Sequence, residues 1–312
     1  MNKKLILFNF FINIFLPLVT ILGVTEYFHY QRLKNQAKDN ATFLNRFYSE
    51  KITDKINKTE FLLKTVSAVA STSNMDTKTI KEFIKNYLEI DKDYTTVGIT
   101  NENGDVIIST LDPKDKVNLS DRSYFQEAKE SLSLSASEIL KGRITGKESV
   151  VFAYPIIDSE EKFKGVVFTG ISLETLNQIL ESLYVPENAS VMVLDKNGVI
   201  LARKPENEKW RGKNIINQFE VARKAISEKK FGALIGRGID NQEKVFAYQP
   251  IEYNSANSKI FIISGFSTDV IKEPVKQHLV IFSILFSLFF VILTVVNYLI
   301  LKNLKKKGLL ES

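Results

Sequence analysis

The 312-residue chain has no cysteine and only two histidines. Without cysteine there is neither a disulfide framework nor a thiolate zinc site. His29 and His278 each border an apolar run, so the region between them lacks a Ser-His or Cys-His catalytic arrangement. One-signed charge is scarce too. Lys3 and Lys4 supply two units of the formal net charge of +6, the tail after Leu301 supplies three, and Leu5–Leu301 keeps only one. A nucleic-acid binder concentrates basic charge on a folded face, so that class is excluded. Two glycine-bearing segments fail as ligand loops. Gly142–Lys147 is one residue short of a phosphate loop and has Glu148 where Ser or Thr is needed. The DKNG at Asp195 lacks the remaining oxygen ligands of a calcium loop, and a hairpin turn accounts for it better. The reading is of a non-enzyme without metal or cofactor.

What is present begins with two uncharged apolar runs, Leu5–Val24 and Leu279–Leu301, of 20 and 23 residues. Each is long enough to cross a hydrocarbon core of about 30 Å as a helix. The first outruns a signal-peptide core, and GVTEYFHY after it offers no small-x-small cleavage site, which favours an uncleaved anchor. Lysines precede the first run and follow the second. The positive-inside rule then puts both termini in the cytoplasm and residues 29–275 outside, as a two-pass protein of the bacterial plasma membrane. From Glu26 to Ser71 there is no Gly or Pro, and apolar residues recur in steps of three and four from Leu33 to Ala70. That pattern predicts one long amphipathic helix. Its apolar stripe is satisfied by its own domain or by a second copy, and the near-heptad spacing favours a homodimer. A shorter helix is expected over Thr77–Leu88.

A duplication follows. ITNENGDVI and VLDKNGVIL stand 94 residues apart at Gly104 and Gly198, as do GRITGKESVVFAY and GRGIDNQEKVFAY at Gly142 and Gly236. Thr169–Ser172 recurs as Ser264–Ser267 at 95. Each copy reads as a hairpin, a helix (Ser123–Ser131; Phe219–Glu228) and paired strands (Ser149–Ile157 with Lys164–Ser172; Lys244–Glu252 with Lys259–Ser267). A helix over Leu173–Tyr184 links the copies. The fold class is α+β, two tandem lobes on a long N-terminal helix between two membrane spans. Trp210 suits a cap on the second lobe, and Tyr87, Tyr94 and Phe163 suit ordinary packing.

The stretch Asp121–Ile156 places Arg122, Arg143, Tyr124 and Tyr154 among strand-like apolar residues, a mix suited to a small pocket with aromatic walls. At the offset of 94, Arg122 and Tyr124 align with Ile216 and Gln218, whereas Phe125 and Ala128 align with Phe219 and Ala222. A pair present in one copy only is not needed to fold the unit, which points to function. Arg143 has a counterpart in Arg237 and Tyr154 in Tyr248, so structural roles explain them equally well. A guanidinium holds a carboxylate with two parallel hydrogen bonds and stays charged. The competing role for Arg122 is a salt bridge to Asp121 or Glu127.

DRSYF, GRITGKESVVFAYP, KGVVFTGISLETL and VMVLDKNGVILAR followed by WRGK resemble the double Cache domains, PAS-like extracytoplasmic sensors of bacterial chemoreceptors, histidine kinases and diguanylate cyclases. The resemblance covers residues 29–275. It implies a stalk helix (29–75), a membrane-distal lobe (76–185) that usually holds the ligand, and a membrane-proximal lobe (186–275). Around these stand segments 1–28, 276–301 and the basic tail 302–312. It also implies ligand contacts at Arg122, Tyr124, Phe125, Arg143, Tyr154 and Thr169. Members that bind amino acids carry an Asp at the start of the ISL segment, where this chain has Gly170. That departure moves the expected ligand toward a simple carboxylate or another small polar solute. Only 11 residues follow Leu301, so the signal is expected to reach a separate partner or an output domain outside this sequence. A transporter accessory that binds solute without signalling, or an anchor with a vestigial pocket, are the alternatives.

Overall fold

The computed structural model describes residues 13, 15–72, 76–91, 93–113, 115–251 and 260–306. They fall into two compact units, one of residues 38–267 and one of the two chain ends, up to residue 37 and from residue 268.

The predicted stalk is a single helix, α1 (Leu16–Thr72). In the larger unit its buried residues, among them Ala41, Tyr48, Ile52, Ile56, Leu63, Val66 and Ala70, follow the three-four spacing of the sequence. Polar contacts fix it against both halves of that unit. The Ser67 and Ser71 hydroxyls donate to the carbonyls of Pro155 and Ile157, and Ser264 donates to the Asn45 side chain at 2.8 Å. The second helix, α2 (Thr77–Ile90), is capped by Asp76, whose carboxylate accepts from the Thr79 amide.

Lobe one is an antiparallel sheet of β1 (Tyr94–Thr100), β2 (Val106–Ser109), β3 (Ser135–Ala136), β4 (Leu140–Lys141), β5 (Glu148–Ile157) and β6 (Phe163–Ser172). The order is β2-β1-β6-β5-β3, with β4 also paired to β5. Helix α3 (Ser123–Ser131) crosses one face, and α4 (Leu173–Glu181) leads out of β6. Lobe two repeats this plan with β7 (Ser190–Asp195), β8 (Ile200–Lys204), β9 (Gly232–Arg237), β10 (Glu243–Pro250) and β11 (Ile260–Ser267) in the order β8-β7-β11-β10-β9. It adds α5 (Asn207–Trp210) and α6 (Glu220–Glu228). The duplication is therefore real in three dimensions. Gly104 and Gly198 both take positive φ, 85° and 80°, in the first hairpin of each lobe, a conformation that glycine adopts without a Cβ clash.

The offset between copies is not constant, and this corrects the sequence alignment at two places. Gly170 pairs with Val151 in lobe one, and Gly265 pairs with Phe246 in lobe two. The counterpart of Val151 is thus Phe246, that of Ala153 is Tyr248, and that of Tyr154 is Gln249. The matching VFAY strings are one residue out of phase, and a one-residue slip moves every side chain to the other face of a strand. At the helix the offset is larger again. Arg122 and Phe219 are the N-cap residues of α3 and α6, so Arg122 corresponds to Phe219 rather than Ile216, and Tyr124 to Val221 rather than Gln218. Loops between the strands absorb these insertions.

Strand alternation divides the core. Val150, Phe152 and Ile156 of β5 join the cluster formed with α1, α2 and α4. Val151 and Ala153 face the opposite way, into a second cluster with Tyr124, Phe125 and Ala128 of α3. In lobe two, Phe246 and Tyr248 join Phe219 and Ala222 under α6.

In the smaller unit, α7 (Asp269–Lys306) contains the segment Asp269–Val296, apolar and long enough to cross a membrane. Its Phe286 and Phe290 rings lie 5.5 and 5.9 Å from the Phe15 ring. Residues 5–12 and 14 of the first predicted span, Leu5–Val24, lie outside the described residues, as do residues 252–259 and those from 307 on.

Candidate functional site

A cavity of about 30 Å³ lies in lobe one between the β-sheet and the start of α3. Its lining includes Arg122, Arg143 and Tyr124 and, among the described residues, no Asp or Glu. Leu119, Val151 and Phe168 give it an apolar floor, and Thr95, Ser149 and Gly170 a polar side.

Arg122 occupies the N-cap of α3 with extended backbone (φ −81°, ψ 135°) and makes no side-chain cap. An N-cap favours Ser, Thr, Asp or Asn, whose oxygen accepts from the first turn, and forgoing one costs about 1 kcal/mol. A guanidinium cannot accept, so the local helix gains nothing from arginine here. Its Nε is buried without a hydrogen-bond partner, and among the described residues it forms no ion pair. The nearby Asp121 carboxylate belongs to Arg143, whose fork donates to both oxygens at 2.6 and 2.7 Å and to the Asn118 carbonyl at 2.6 Å. That bond holds the Asp121 carboxyl below the usual carboxylate range. Arg143 thereby latches the Gly142–Lys147 turn, closed by its own backbone bonds, onto the segment before α3. Arg143 is bonded to Asp121, whereas Arg122 is bonded to no carboxylate among the described residues.

Tyr124 is the second residue of α3 and is buried; burial pushes its phenol up to about 12, so it stays protonated. Ser149 Oγ is buried without a partner. Two polar atoms of the lining, Arg122 Nε and Ser149 Oγ, are therefore unsatisfied, at a desolvation penalty of about 1–3 kcal/mol each. Opposite them, Thr95 donates to the Gly170 carbonyl at 3.1 Å.

Of the six candidate contacts, Arg122, Tyr124 and Arg143 meet at the cavity and the other three do not. Phe125 packs edge-on against Phe163 with ring centroids 5.9 Å apart. Tyr154 is on the opposite face of β5, under the Lys64 ammonium of α1 at 5.6 Å. Thr169 is buried on that same face and donates to the Thr96 carbonyl at 2.8 Å. Sequence reasoning missed Ser149 and Thr95. A signal for Ser149 existed in the register, since its counterpart is Lys244 with an ion pair to Asp240. In lobe two the equivalent space is filled. Phe219 meets Phe246 edge-on at 5.2 Å, and a Cβ at Gly232 would strike the Tyr248 ring.

Comparison with known proteins agrees with this plan. The family model of the Cache domain matches residues 29–275. Sporulation kinase D of Bacillus subtilis (strain 168) is 26% identical over 177 residues, 55% of this chain and 35% of the kinase. The chain thus spans about a third of that relative. The extracellular domain of rpHK1S-Z16, a protein assigned as a histidine kinase, superposes with a TM-score of 0.65 at 18% identity, over 76% of this chain and 97% of that one. The ligand-binding domain of the Pseudomonas fluorescens chemoreceptor CtaA, in complex with L-serine, gives 0.61 at 14% identity, over 76% and 99%. At these identities the likeness is one of fold.

Proposed function

The chain belongs to the Cache-domain family, and from that premise we propose that it is a transmembrane receptor whose lobe one captures a small carboxylate through Arg122. The observation that carries this reading is the buried, unpartnered Arg122 Nε at a cavity without an acidic wall. Arg122 supplies the charge, Tyr124 and Ser149 supply neutral hydrogen-bonding groups, and Arg143 positions the wall. An amino acid is disfavoured because its ammonium would find no carboxylate there.

In this reading lobes one (76–185) and two (186–275) stand outside the bacterial plasma membrane on the stalk 29–75. Leu5–Val24 and α7 cross it, and both termini are cytoplasmic. Two copies pair through the stalk. Ligand shifts the balance between two packings of lobe and helix only by its differential affinity for them, and α7 carries the change to an output module or partner protein. A kinase is the output that two of the three named relatives suggest, the third being a chemoreceptor. The Cache domain itself binds and does not catalyse.

The test is a thermal-shift series on the full chain in lipid nanodiscs, with short carboxylates, amino acids, amines and sugars. A ligand binding only the folded form adds about 2.7 kcal/mol at a hundredfold excess over Kd. A carboxylate that raises the midpoint of the wild type and not of Arg122→Ala supports the proposal. An amine or sugar acting equally on both would remove its basis.

A further inference from the structure

The two histidines of the chain meet. His29 of α1 and His278 of α7 stack with ring centroids 4.2 Å apart and planes 12° from parallel. Phe282, one turn along α7, meets His278 edge-on at 6.3 Å. Both histidines belong to the unit made by the chain ends, and neither shares a residue with the Arg122 cavity.

Arg32 Nη2 lies 3.2 Å from His29 Nδ1. A guanidinium only donates, so in this arrangement that nitrogen is the acceptor and carries no proton. Glu26, one turn before His29, brings Oε1 to 3.5 Å from His278 Nδ1, and both of its carboxylate oxygens are buried without a hydrogen bond. A buried carboxylate lacking a donor is unfavourable. The group placed to supply one is His278, whose imidazolium form carries N–H on both nitrogens.

We propose that His278 and Glu26 form a proton-dependent clasp between α1 and α7, closed when the His278 ring is charged and released when it is neutral. Protonation turns the 3.5 Å approach into a charge-assisted hydrogen bond and leaves one cation stacked on a neutral ring. The further charged or titratable groups that contacts place here among the described residues are His29, stacked on His278, and Arg32, which donates to His29, both on α1, while α7 contributes the Phe282 ring. Arg32 remains charged throughout and keeps a second proton off the stack. The sign follows from which form has the partner. The closed clasp is present at acid pH and is lost as pH rises. External acidity would then bias the packing of the two helices without occupancy of lobe one.

The absence of cysteine permits a direct reading. Spin labels on Tyr30→Cys and Lys276→Cys in the full chain, in lipid nanodiscs, report the α1–α7 separation between about pH 5.5 and about pH 8. The separation shortens or its distribution narrows at acid pH, and His278→Phe, which keeps the ring stack, and Glu26→Gln, which keeps the shape, both abolish the change. Arg122→Ala leaves it intact. A separation that does not depend on pH overturns the clasp. So does a pH response that survives Glu26→Gln, because the partner is then not Glu26.

Discussion

Arg122 in lobe one and Phe219 in lobe two hold the same backbone place. Each is the N-cap of its lobe's helix, and each carbonyl accepts from the amides three and four residues on. One side chain borders a cavity and keeps an unpartnered buried nitrogen. The other is buried against Phe246. One fold has been used twice, once with room for a guest and once without.

The first prediction transplants the filling. Val151→Phe in lobe one copies Phe246 of lobe two and should abolish ligand-induced stabilisation. Overpacking of a formed core typically costs about 1–3 kcal/mol, so the variant should still fold. Calorimetric titration checks this, and undiminished binding would show that the ligand lies elsewhere.

The second concerns Gly170. A Cβ there would come within 2.5 Å of the Thr95 hydroxyl, so Gly170→Asp alone should destabilise by about 1–3 kcal/mol. Adding Thr95→Ala relieves the clash, and the double variant should gain affinity for ligands bearing an ammonium at the expense of simple carboxylates. Denaturant melts and a ligand panel read both halves.

A third follows from Lys55, whose side chain is 8% exposed and reaches Asp91 and Asp93 at 3.0 and 2.9 Å over the Tyr94 ring at 4.1 Å. Lys55→Met removes the charge that joins α1 to the start of β1 and should cost about 3 kcal/mol, the low end for a buried pair because both acids are partly hydrated. Denaturant unfolding measures it, and a loss below the level of surface pairs would mean the contact is incidental.

The fourth is a pH dependence. Arg143 lowers the Asp121 carboxyl from its ordinary value. A depressed acid contributes its stability above the unfolded value of about 3.9 and loses it as pH falls through the lower folded value. The latch on the cavity wall should therefore hold across neutral pH and release only in acid below the ordinary carboxylate range. Ligand-induced shifts followed from neutral to strongly acid pH test this, with Asp121→Asn showing a weakened response throughout.

Much of the fold was legible in the sequence because its signals are local. The absence of Gly and Pro, with three-four spacing, marked α1, and the Asn-Gly pairs marked both first hairpins. The short β3 and β4 and the edge strand β9, with its two glycines and half-exposed residues, carry too little alternation to be read. The site was legible only in part. Arg122 and Tyr124 stood out as unrepeated, but placing Tyr154 required the strand register, which the identical VFAY strings concealed by matching out of phase. Ser149 is marked by the strand register, where Lys244 holds its place in lobe two, and its unpartnered hydroxyl gives that difference meaning.

The central claim, that Arg122 holds the carboxylate of a small ligand in lobe one, is tested most directly by calorimetric titration of the full chain. The titrant is the carboxylate that gives the largest thermal shift, and the proteins are wild type, Arg122→Ala and Arg122→Lys. The account predicts saturable binding to the wild type and none measurable to Arg122→Ala. Arg122→Lys should bind more weakly, because a point charge replaces a planar fork. Equal affinity across the three proteins would contradict it.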